Sequence, residues 1–152
     1  MRLILATLIA ITAGSAFADT CYRRVYSEDH LRKNPAQVVS SIEVRFTEGI
    51  EARQAFARVI FKGSSKVWTN GLYCSKDRLA EDPGATMRCG VECDGGTFTV
   101  RPKSSNAIYL TTKGGFNVGG ACPEGDDVLI RLVTDEGAEK TVFRLDKLED
   151  CP

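Results

Sequence analysis

Along most of this chain apolar residues recur at every second position. Ile42, Val44 and Phe46 alternate with Ser41, Glu43 and Arg45, and Phe98 and Val100 alternate with Thr97, Thr99 and Arg101. Val128, Ile130 and Leu132 share one face of their segment, and Phe143 and Leu145 share one face of theirs. A period of two places alternate side chains on opposite faces of an extended strand, one face in a core and one in water. This pattern excludes a helical bundle and demands sheets with one dry side.

Turn chemistry separates the alternating runs. Lys62-Gly63-Ser64-Ser65, Asp94-Gly95-Gly96, Pro102 to Asn106 and Asp135-Glu136-Gly137 each favour a reversal. The spacing predicts strands over 21–26, 37–47, 55–62, 66–74, 86–93, 96–102, 107–112, 128–134 and 140–147. Asn70-Gly71 is a hairpin signal inside one of these runs, read as a bulge or as a turn that splits the strand. Ser27 can cap a short helical turn through Glu28 to Leu31, ended ahead of Pro35. Residues 49–57 allow a second short helix by composition.

Eight or nine short strands joined mostly by tight turns predict an all-β antiparallel meander. Closure into a small barrel removes its exposed edges; the alternative is a two-sheet sandwich. One segment, 113–127, breaks the tight-turn pattern. It holds Gly114, Gly115, Phe116, Gly119, Gly120 and Cys122, and loops of that length are often functional or covalently tethered.

The amino terminus reads as a cleavable export signal over residues 1–18. Arg2 supplies a positive start, Leu3 to Ile11 an apolar run too short to span a bilayer, and Ala16-Phe17-Ala18 a cleavage site. Residues 19–152 are then a single domain, periplasmic or secreted. Arg2 is the only charged residue in the first 18, so the remainder holds 20 acidic residues against 19 basic. That balance disfavours nucleic acid and a polybasic membrane-surface role, and no segment predicts stable membrane insertion.

All six cysteines lie after residue 18. In an exported chain an even number reads as three disulfides. Metal binding is the rival reading, but Cys89-x3-Cys93 is not a zinc spacing and His30 is the only histidine. No metal or cofactor is expected. An extended segment places Cys89 and Cys93 about 13 Å apart, beyond the roughly 7 Å that a disulfide spans. Following strand direction, Cys93 meets Cys122, and Cys74 meets Cys89 on successive strands. Cys21–Cys151 remains, although nine alternating strands would put those two at opposite barrel ends.

No catalytic constellation emerges. A hydrolytic triad would have to use His30, and Ser27, Glu28 and Asp29 beside it fit a charged surface turn better. Glu124, Asp126 and Asp127 lack the ligand alternation of a calcium loop. Trp68, Tyr73, Phe98 and Tyr109 are candidates to line a cavity in the barrel mouth, or else core fill. Phe116, Asn117, Glu124, Asp126 and Asp127 are candidates for partner contact. The expected function is a non-enzymatic binding protein of the bacterial envelope. It would hold a protein partner (as inhibitors of envelope-attacking hydrolases do) or a small apolar ligand, through loops at one barrel end. The alternatives are a structural envelope protein without ligand and an unrecognised hydrolase.

Overall fold

The structure is a computed structural model and describes residues 19–50, 53–77, 79, 82–92, 95–119, 130–132 and 140–152, with backbone alone for 130–132 and Lys140. The proposed export signal over 1–18 lies outside the described residues. Among the described residues, nine strands and one helix follow in chain order: β1 (Thr20–Val25), α1 (Glu28–Lys33), β2 (Val39–Phe46), β3 (Gln54–Phe61), β4 (Val67–Ser75), β5 (Met87–Gly90), β6 (Gly96–Ser104), β7 (Ala107–Val118), β8 (Ile130–Leu132) and β9 (Lys140–Lys147).

Successive strands from β1 to β7 pair antiparallel, β7 also pairs with β9, and β9 returns to β1. The result is a closed eight-stranded antiparallel barrel. β8 is not one of its staves; among the described residues it pairs only with the tip of β7, through Phe116↔Leu132, Asn117↔Arg131 and Val118↔Ile130. That resolves the conflict over Cys21 and Cys151. Eight staves bring β9 back down to the start of β1, and Leu148 N donates to Cys21 O at 2.9 Å. Cys21 and Cys151 are bonded, with Cα atoms 5.4 Å apart. Cys74 and Cys89 face each other in register on β4 and β5 and are also bonded. Cys93 and Cys122 lie outside the described residues.

The alternation reads directly onto the barrel. Ile42, Val44, Phe46, Phe98, Val100, Phe143 and Leu145 are all at most 1% exposed. With Ala57, Val59, Ile108, Leu110 and Phe116 they fill the interior, as eight staves enclose only enough room for side chains. The outer wall carries charge at mid-strand. Arg23, Glu43 and Arg58 form one row across β1, β2 and β3, with the Glu43 carboxylate 3.8 Å from Arg23 and 3.4 Å from Arg58.

Two expectations change. The described residues of 49–57 hold no helix: the chain turns through Glu48 and Gly49, both at positive φ, and β3 begins at Gln54. The strand period of Ala55, Ala57 and Val59 prevails over composition because each of the three is buried. The 113–127 segment does not begin as a loop, since β7 runs on to Val118. Gly114 and Gly115, at φ 67° and 78°, bend the strand without ending it. Below the bend β7 pairs with β9, and above it with β8.

Candidate functional site at the Trp68 end of the barrel

Strand direction gives the barrel two distinct ends. The lower holds both chain ends of the domain, the β2–β3 turn and the β6–β7 turn. The upper holds α1, the β3–β4 turn, Trp68 at the start of β4, and the tip of β7 with β8.

At the upper end β7 is stitched in place from several directions. Asn70 points inward with Leu72 and Cys74 and is 4% exposed. Its Nδ2 donates to Asn117 O at 3.0 Å, and its Oδ1 accepts from Gly119 N at 2.7 Å. One amide thus satisfies two backbone groups across the barrel mouth, as a buried polar group requires. Asn117 N donates to Gly95 O of the β5–β6 turn at 2.6 Å. Below these bonds Phe116 and Val118 are fully buried, with the Phe98 and Phe116 rings 5.2 Å apart. Gly119 lies flat against Trp68: a Cβ there would come within 2.7 Å of two indole carbons. On the same indole sits Lys66, its Nζ 3.6 Å from the ring centroid, a cation–π contact.

The four aromatics expected to line a cavity are not brought together. Trp68 and Phe98 face inward, and Phe98 is core. Tyr73 lies on the outer wall at 59% exposure. Tyr109 also faces out, in one row with Arg101 and Arg144, beneath the Arg101 and Lys103 side chains. Successive inward positions on β4 and β7 are two residues apart, which separates Tyr73 from Trp68 and Tyr109 from Leu110 by face alone. Among the candidate contacts, Phe116 is corrected outright: it keeps the inward parity of Ile108 and Leu110 on β7 and is fully buried in the core. Asn117 is half-buried and uses its backbone for the clamp. Glu124, Asp126 and Asp127 lie outside the described residues. Val118 and Ile130, on either side of their segment in sequence, pair with each other.

At the same end, α1 is capped as expected, with Ser27 Oγ accepting from His30 N at 3.2 Å. The His30 ring stacks on Tyr26 at 4.9 Å and its Nε2 lies 3.0 Å from Gln37 Oε1. Asp29 pairs with Arg32, so neither Ser27 nor Asp29 aims its side chain at the imidazole. Burial pushes the Tyr26 phenol above its ordinary range, and the Arg24 charge pulls against that shift. Among the described residues no three His, Cys, Asp or Glu side chains cluster as metal ligands would.

The sequence reading missed two features. Asn70 was visible only as a turn signal, although its parity with Leu72 and Cys74 marks it as inward. Phe56, 42% exposed on the outer wall, was not singled out; its parity opposite to Ala55 and Ala57 carries the signal.

The fold and its two bonds define a small closed barrel stapled by disulfides, with a filled interior and one polar-clamped end. Comparison of the chain with protein-family models, with curated proteins and with solved structures finds no match.

Proposed function

We propose that this protein is a non-enzymatic binding protein of the bacterial envelope, periplasmic or secreted, that meets a protein partner through the Trp68 end of its barrel. The observation that carries this reading is the Asn70 clamp. It fixes Asn117 and Gly119, the described residues that precede the candidate contacts Glu124 to Asp127 in sequence. Trp68 and Lys66 lie beside the clamp, and tryptophan is among the residue types that dominate interface energies.

Two further facts support it. The disulfides belong to an oxidising, non-cytoplasmic compartment, which fits export by the first 18 residues. A charged outer wall around an apolar interior is the reverse of a lipid-embedded barrel, which fits a water-exposed domain without stable membrane insertion. The filled interior favours a protein partner over an enclosed apolar ligand. A Cys93–Cys122 bond would add a covalent tie to the clamp, and peptide mapping of unreduced protein tests it.

The function is tested by photo-crosslinking in the cell of origin, with the crosslinker placed at Lys66, at Asn117, or at Tyr109 towards the lower end. One shared protein adduct from Lys66 and Asn117, absent from Tyr109, is expected. Adducts from Tyr109 alone would sink the proposal.

A further inference from the structure

Gly71 has no structural reason to be glycine. A glycine inside a strand weakens it, and usually marks a positive φ, a bulge, or a close approach of other atoms. Gly71 is not among the residues at positive φ. Its register is continuous on both sides, Ala55↔Leu72, Phe56↔Gly71 and Ala57↔Asn70. A Cβ built there meets nothing within 4 Å. That last fact also excludes Phe56 lying across the bare backbone to shield it.

What the missing side chain leaves is a cleft on the outer wall. Phe56 stands directly opposite Gly71 and Tyr73 two residues along β4; they are 42% and 59% exposed. Gln54, Ala55, Leu72 and Glu92 complete the lining, around an open volume of about 230 Å³. Drug-sized pockets begin at about 300 Å³, so this one suits a single ring. Tyr73 also lines a neighbouring concavity with Arg53 and Ser75, so a longer ligand has a polar track to follow.

We propose that this cleft binds a carbohydrate chain, with one sugar ring seated on Gly71. The apolar face of a pyranose packs on the Phe56 and Tyr73 rings. Its hydroxyls are met by the Gln54 amide, which donates and accepts, and by the Glu92 carboxylate, which accepts. A hydrocarbon ligand would gain little, because the site is open and most of its surface would stay in water. The site is independent of the barrel-end contact: Gly71 faces out where its neighbour Asn70 faces in.

The test is saturation-transfer NMR on the mature protein with three tetrasaccharides: β-1,4-linked N-acetylglucosamine, β-1,4-linked glucose and α-1,4-linked glucose. Transfer to at least one is expected, with a dissociation constant of about 1 mM, as for a small open site. Gly71→Val should abolish transfer while leaving Tm unchanged or raised, because the valine occupies only the cleft. Phe56→Ala and Tyr73→Ala should each weaken binding about tenfold, the change expected for an exposed aromatic contact. Tyr109→Ala, on a different wall, should not change it. Transfer to none of the three sugars, transfer that survives Gly71→Val, or a fall in Tm in that variant would each overturn the proposal. If Gly71→Val instead removes a protein crosslink while no sugar binds, the cleft is a protein contact and the carbohydrate reading is wrong. The Lys66 and Asn117 crosslinks stand or fall separately.

Discussion

The two ends of the barrel are fastened by different physics. At the lower end the fastening is covalent and spans nearly the whole domain: Cys21 is bonded to Cys151, 130 residues away in sequence. Lys147 N donates to Asn106 O at 2.8 Å beside it, and Arg45 pairs with Asp19. At the upper end the described fastenings are an amide, an indole and a glycine. A disulfide acts largely on the unfolded chain, by removing conformations it would otherwise explore. The Asn70 clamp acts only in the folded protein, by fixing where β7 ends. The lower end therefore governs whether the barrel exists, and the upper end governs what it presents.

Breaking the lower end should have the largest effect. Cys21→Ser with Cys151→Ser removes a loop closure of more than a hundred residues, worth about 5 kcal/mol in the chain-entropy account. That rivals the whole net stability of many small domains. Denaturant unfolding should show the double variant largely unfolded or close to it. The Cys74–Cys89 bond closes a loop of only 15 residues, for which the same account gives about 3 kcal/mol. A larger loss from Cys74–Cys89 than from Cys21–Cys151 would contradict the entropic contrast drawn between them.

At the upper end Gly119→Val should come next. Gly119 has φ 110°, and a side chain there meets the Trp68 ring. Left-handed strain with overpacking costs about 2–3 kcal/mol. Trp68 emission should shift as the indole becomes wetter, which no lower-end variant should produce. Asn70→Ala is expected to cost less, about 1–2 kcal/mol, by leaving Gly119 N and Asn117 O without the amide. Its diagnostic is local: faster hydrogen exchange at the Gly119 amide, with protection in β1, β2 and β9 unchanged. Uniformly faster exchange throughout the barrel would show that the clamp holds the fold and not merely the tip of β7.

The same contrast explains what was legible in the sequence. Strand existence and facing are local properties, so Ile42, Val44 and Phe46, or Phe143 and Leu145, announce themselves by parity. Which strand a segment pairs with is decided elsewhere in the chain. The 128–134 run alternates like any stave, yet β8 spans Ile130–Leu132 and, among the described residues, pairs only with the bent tip of β7. Nothing in those residues encodes that choice; it follows from the bend at Gly114-Gly115, which leaves the lower half of β7 for β9. Cys74–Cys89 was readable because its partners lie on successive strands. Cys21–Cys151 depended on the stave count, and the count hung on that one bend. Asn70-Gly71 shows the converse: a dipeptide with strong local turn chemistry held in the extended state by seven register pairs with β3, one residue serving the clamp and the other the cleft.

The smallest effect is electrostatic and sits at the lower end. Asp19 accepts a hydrogen bond from Arg45 Nε at 2.6 Å, and Glu48 N approaches its other oxygen at 3.4 Å. The Arg45 hydrogen bond holds the Asp19 carboxyl below its ordinary value of 3.8, with burial opposing it and the Glu48 backbone hydrogen bond helping. A folded-state value below the unfolded one means that the unfolded chain takes up its proton first as pH falls. The pair therefore contributes its full stabilisation above pH 3.8 and loses it as pH drops from there through the lower folded value. The Asp19 side chain is 26% accessible and that of Arg45 44%, so the contribution is that of a solvent-facing pair and is weakened by salt. In Asp19→Asn the stability curve should be flatter than wild type below pH 3.8 and slightly lower above it, with the difference fading in high salt. Denaturation midpoints at several pH values and two ionic strengths measure this. An unchanged acid slope would mean that Arg45 leaves Asp19 for solvent, and that the lower end is held by its covalent bond and backbone ladder without help from charge.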